Sequence, residues 1–103
     1  MATFLVDRSL PGLSVELLLE AQRCLREAAR RVSADGEPVH YLRCLFLPGE
    51  QRCLCLFEAD SASAVRRVNE VAQVPFRRIE PVQEYPRPGG PQAPERRTRR
   101  TRP

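Results

Sequence analysis

Apolar and polar positions alternate with a period of two over Thr3–Asp7, where Phe4 and Val6 interleave with Thr3, Leu5 and Asp7, as in a strand. Pro11-Gly12 breaks the chain, and Ser14 is placed to cap a helix before Val15. The period then lengthens: Leu18, Ala21, Leu25, Ala28 and Val32 follow helical spacing, with Glu20, Arg23, Glu27 and Arg30 on the opposite face. Arg23/Glu27 and Glu27/Arg31 add i,i+4 charge pairs, and Asp35-Gly36 ends the helix. Val39–Leu47 and Arg52–Glu58 read as two strands around the hairpin turn Pro48-Gly49-Glu50-Gln51. Ser61 caps a second, shorter helix with Val65, Val68 and Ala72 inward and Arg66, Arg67 and Glu70 outward; Pro75 stops it. Phe76–Val82 is the last strand, and Pro81 confines it to a sheet edge.

The order βαββαβ predicts an α+β, ferredoxin-like domain: a four-stranded antiparallel sheet with two helices on one face. The hairpin register separates the two faces. With Leu47 opposite Arg52, Phe46 faces Cys53, Cys44 faces Cys55 and Leu42 faces Phe57, an apolar set that belongs under the helices. The other face carries Tyr41, Arg43, Leu45 and Leu47 opposite Glu58, Leu56, Leu54 and Arg52, and Leu5 joins it. Leu5, Leu45, Leu47, Leu54 and Leu56 on a face with no helix to cover it form a patch that a monomer does not tolerate well. Burying them is worth about 10 kcal/mol before association costs. The expectation is a homodimer packed sheet to sheet, from which a domain this small also gains stability.

Composition alters this picture mainly at the C-terminus. The 103 residues carry 17 basic side chains, every one arginine, against 13 acidic ones, for a formal net charge of +4. Residues 1–86 hold 11 arginines and 12 acidic residues, so the domain itself is near neutral. Residues 87–103 hold six arginines, one Glu and four prolines, and read as a disordered tail. Arg96, Arg97, Arg99, Arg100 and Arg102 would make it either a solvated extension or an arm for nucleic acid or an acidic partner. The domain shows no basic stripe to go with such an arm. No apolar run approaches the length of a membrane span, and the expected setting is cytoplasmic, with reduced thiols.

Candidate chemistry is sparse. Cys44, Cys53 and Cys55 share one sheet face, and Cys24 on the first helix is within reach of pointing toward it. Converging thiolates suit a soft metal, but Cys53-x-Cys55 is a strand period and buried free cysteine is commonplace. A cross-strand Cys44–Cys55 disulfide is geometrically conceivable, though the reducing compartment opposes it. His40, the lone histidine, stands near a strand start without an identifiable partner. No nucleophile elbow or phosphate loop is present, and no catalytic residue is assigned. Asp7, Tyr41, Arg43 and Glu58 are the polar groups expected on the leucine face. They are read either as rim contacts of the dimer or as the polar part of a small-molecule pocket.

The stretch YLRCLFLPGEQRCLCLFEADSASAVRRVNEVAQVPFRRI, with the opening MATFLVDRSLPGLSVELL, resembles a small bacterial nickel-binding protein family over about residues 2–82. The resemblance implies a ferredoxin-like fold, a dimer, and nickel binding through histidines just after the first strand and around the second helix. Those places hold Asp7 and Arg8, then Asn69 and Val74, which leaves Asp7 as the sole candidate ligand. The leading functional expectation is a small dimeric binding or accessory protein with a metal or small ligand at the sheet-face interface. A monooxygenase- or isomerase-like enzyme of the dimeric α/β-barrel type is the alternative, by fold analogy alone. Recruitment of nucleic acid or an acidic partner by the tail is a third.

Overall fold

A computed structural model describes residues 1–85; the tail and its arginines lie outside the described residues. Strand β1 (Ala2–Ser9) leads through a capped turn into helix α1 (Val15–Ala34), with the Ser14 hydroxyl accepting the Leu17 N–H at 3.1 Å. Strands β2 (Val39–Leu47) and β3 (Arg52–Ala59) form the hairpin. Helix α2 (Ala62–Ala72) starts at Ser61, whose hydroxyl accepts the Ala64 N–H, and β4 (Arg78–Val82) closes the sheet. No helix among the described residues is long and apolar enough to cross a membrane.

The strands lie in the order β2-β3-β1-β4, all antiparallel, which is the ferredoxin-like arrangement expected from the element order. Both helices pack on one face. The core between them and the sheet is built from Phe4 and Val6 of β1, Leu25, Ala28, Ala29 and Val32 of α1, Cys55 and Phe57 of β3, and Val65 and Val68 of α2. Of the inward stripes read from helical spacing, Leu25, Ala28, Val32, Val65 and Val68 are buried, while Leu18, Ala21 and Ala72 are half-buried.

Three local features depart from the expectation. The hairpin register holds from Leu47/Arg52 to Arg43/Leu56 and then slips through a bulge at Leu42, so that Tyr41 and not Leu42 faces Phe57. The last strand begins at Arg78, because Phe76 instead packs against the core and lies 5.4 Å below the Arg66 guanidinium. Finally, the left-handed residues that close the hairpin turn and helix α2 are Gln51 (φ 50°) and Gln73 (φ 57°). Neither is a glycine, so neither position was marked in the sequence. Around Gln73 the ladder finishes with Val74 N–H on the Asn69 carbonyl and Gln73 N–H on the Glu70 carbonyl, a Schellman ending.

Candidate functional site

Cross-strand register lays the open face out in rows. His40, Glu58, Thr3 and Val82 form one; Arg43, Leu56, Leu5 and Glu80 the next; Leu45, Leu54, Asp7 and Arg78 the third; Leu47, Arg52 and Ser9 the last. All five leucines expected on this face are there, but unequally covered. Leu45 is 53% exposed, Leu5, Leu47 and Leu54 are half-buried, and Leu56 is buried at 6%. The expectation that Leu56 is open to solvent fails. Arg43, beside it, pairs with Glu84 from beyond β4. β2 and β4 are opposite edges, about 14 Å apart at ordinary strand spacing, so this pair requires the chain after Val82 to turn back over the face.

Of the four polar candidates, three reach the open face and do not converge. Asp7 is buried because two guanidinium groups cover it. Arg52 Nε lies 3.4 Å from Oδ1, and Arg52 Nη2 and Arg78 Nε each lie 3.3 Å from Oδ2. Burial pushes its carboxyl up, but hydrogen bonds from Arg52 and Arg78, with their charges, hold it below the usual carboxylate range. Arg43 is taken by Glu84, and half-buried Glu58 stands two rows from Asp7. Tyr41 is not on this face at all. The bulge at Leu42 turns it under the helices, where its ring meets Phe57 edge-on at 5.3 Å and its hydroxyl accepts the Gln22 amide at 2.9 Å. The same slip puts His40 on the open face opposite Glu58, a pairing that unbroken alternation concealed.

On the helix side, β1 presents Arg8 where alternation calls for an apolar residue. It is 1% exposed. Its Nη2 donates to Asn69 Oδ1 at 2.7 Å, and its Nη1 to the Pro75 carbonyl at 3.1 Å and the Val74 carbonyl at 3.4 Å. Asn69 is oriented in turn by donating its Nδ2 to the Val65 carbonyl at 2.8 Å. Nε has no hydrogen-bond partner, and no carboxylate pairs with this guanidinium among the described residues. A cavity of about 10 Å³ separates it from Cys44, Cys53 and Cys55, with Leu18, Leu25 and Gln22 among the other walls. Cys24 stays apart from these thiols; its Sγ lies 3.7 Å from Glu20 on its own helix. Wider grooves run elsewhere, one of about 590 Å³ between α1 and β2 and one of about 940 Å³ beside the β1–β4 edge.

These positions decide how nickel fits. Arg8, Asn69 and Val74, three of the places where the resemblance calls for histidine, do come together, and Arg8's own cation stands at their centre. Asp7 points to the opposite face and is already neutralised by Arg52 and Arg78. Among the described residues no three His, Cys, Asp or Glu side chains are grouped so as to hold a metal ion. The donor set does not fit a nickel ion at this place.

No curated protein matches the chain. The crystal structure of SCO4226 from Streptomyces coelicolor A3(2) is similar, with a TM-score of 0.70 and 25% identity, covering 82% of this chain and 99% of that one. Residues 4–82 match the family model described as nickel responsive protein SCO4226-like. That match takes in both helices and all but the ends of the sheet, and with it the chain belongs to the SCO4226-like family of nickel-responsive proteins.

Proposed function

We propose that the protein is a homodimeric, non-catalytic binding or accessory member of this family whose working surface is the open sheet face. The observation that carries the reading is the set of leucines on that face, with Leu45 more than half exposed at its edge. Two such faces packed together enclose a leucine-walled space with His40, Glu58 and Arg43 toward its rim. Such a space takes a small, mainly apolar ligand with a polar end. Nickel enters only through the family description. Here Arg8 supplies a fixed cation where the family's metal would sit, so the protein is expected to work without a bound nickel ion at that place.

Light scattering on the full chain tests the dimer. The wild-type mass is expected to be that of two chains, and the double variant Leu45→Glu, Leu54→Glu that of one. A mass unchanged by the double substitution would remove the interface. Elemental analysis of tag-free protein dialysed after nickel loading tests the metal: no stoichiometric nickel is expected, and one retained ion per chain would overturn the reading of Arg8.

A further inference from the structure

Arg8 lies on the helix side of the sheet, away from the leucine face. A guanidinium at 1% exposure with neutral acceptors on both Nη atoms, and none on Nε, is a buried charge without a counter-ion. Three cysteines, Cys44, Cys53 and Cys55, share the walls of the small cavity with it, and Gln22 is the other polar side chain there. Cys53 is its cross-strand neighbour, and Cys55 lies two positions further along the same face, directly opposite Cys44 on β2. Antiparallel partners stand about 4.5–5.5 Å apart at Cα, inside the span a disulfide bridges. Cys55 is buried, whereas Cys44, on an edge strand, is partly open to solvent.

We propose that Cys44 and Cys55 are a redox site at which a hydroperoxide oxidises the Cys55 thiolate and Cys44 then closes a cross-strand disulfide. Arg8 holds the anion, and the thiolate in turn is the counter-charge that Arg8 otherwise lacks. A hydrogen bond from Cys44, and next the charge of Arg8, bring the Cys55 thiol down to about 6 against the cost of burial. Cys44 is pushed up by the same hydrogen bond, and Cys53 is raised by burial, so both stay protonated beside one thiolate. In the first step the Cys55 sulfur attacks one peroxide oxygen. The S–O bond forms, the O–O bond breaks, and the departing alkoxide or hydroxide is protonated by solvent. In the second step Cys44 displaces the sulfenic oxygen: the S–S bond forms, the S–O bond breaks, and water leaves with the Cys44 proton. Two thiols lose two electrons and one hydroperoxide becomes an alcohol and water. A transient, peroxide-formed bridge of this kind is compatible with a reducing compartment, where a permanent structural disulfide is not.

The test uses reduced full chain and hydrogen peroxide. Thiol counting is expected to show two of the four cysteines lost, with no change in chain mass beyond two hydrogens. Trypsin, cutting after Arg43, Arg52 and Arg66, leaves Cys44 on one peptide and Cys53 with Cys55 on the next, so fragmentation of the linked pair reads the partner directly. A Cys44–Cys55 link that persists in Cys53→Ala, formed at least about tenfold faster at pH 7 than in the urea-unfolded chain, supports the site. A link to Cys24 or Cys53, oxidation without a link, or a rate equal to that of the unfolded chain overturns it. Arg8→Met is expected to slow the reaction to the unfolded rate. Should that variant not fold, the ultraviolet thiolate signal of native wild type decides: one thiolate per chain at pH 7 is expected, and none overturns the proposal.

Discussion

At the scale of single residues, the two buried charges differ: Asp7 is neutralised in place by Arg52 and Arg78, whereas Arg8 has no carboxylate partner among the described residues. Asp7 is the case with a measurable pH signature. Its folded value lies below the unfolded one of about 3.9, so its contribution is fully present above that range and is lost as pH falls through it. Asp7→Asn is expected to cost about 1 kcal/mol at neutral pH. The figure is modest because Arg78 is largely exposed and both arginines keep a second carboxylate, Glu50 for Arg52 and Glu80 for Arg78. Urea unfolding at pH 7 and pH 3 checks it: the wild type should lose stability on acidification, and the variant should lose less. An equal loss in both would mean that Asp7 titrates alike folded and unfolded. Alternation placed Asp7 on the open face correctly from sequence. It could not show that Arg52 and Arg78 would meet there, since they come from positions 45 and 71 residues away in the chain. Arg8 lay beyond the strand read from alternation and entered only as the residue where the resemblance calls for a histidine; its burial was not legible, because its acceptors come from Asn69 and two backbone carbonyls beyond α2.

At the scale of elements, every helix and strand was legible because each carries its own period and its own stop. Ser14 and Ser61 cap as their positions predict. The bulge was not legible. Leu42 is as apolar as its neighbours, so nothing in the pattern marks it as the extra residue, yet it sends Tyr41 to one face and His40 to the other. The α2 ending was equally silent, since a glutamine stands where a left-handed conformation calls for glycine. That mismatch makes a stabilising substitution available. Gln73→Gly relieves the left-handed strain while leaving the Asn69 and Glu70 carbonyls with their backbone donors, and the Gln73 side chain is exposed. The gain is expected to be about 0.5–1 kcal/mol, after the added freedom of glycine in the unfolded chain is counted. A raised urea midpoint with an unchanged slope would be the signature; a lowered midpoint would mean that Gln73 makes a contact of its own.

At the scale of the whole molecule, the net charge of +4 describes two unlike parts, a near-neutral domain and an arginine-rich tail, so it does not define the domain's partners. What the domain offers is its leucine face, and the covered state of Leu56 changes the energetics. The remaining leucines are partly shielded already, and each contributes about 1–2 kcal/mol on association rather than the value of a fully exposed side chain. The proposed dimer, held by so modest a surface, should exchange with its monomers, and its thermal stability should depend on concentration. Raising the protein concentration a hundredfold favours the folded dimer by about 2.7 kcal/mol. Spread over about 170 described residues in two copies, with about 2.1 cal/mol/K of unfolding entropy each, this becomes a rise of about 8 °C in Tm. Leu45→Glu places a charge at the most exposed point of the face and should abolish the concentration dependence while leaving the monomer folded, since Leu45 lies outside the core. Calorimetry across that range separates the outcomes: a wild-type Tm that does not move with concentration would leave the leucine face without a second copy.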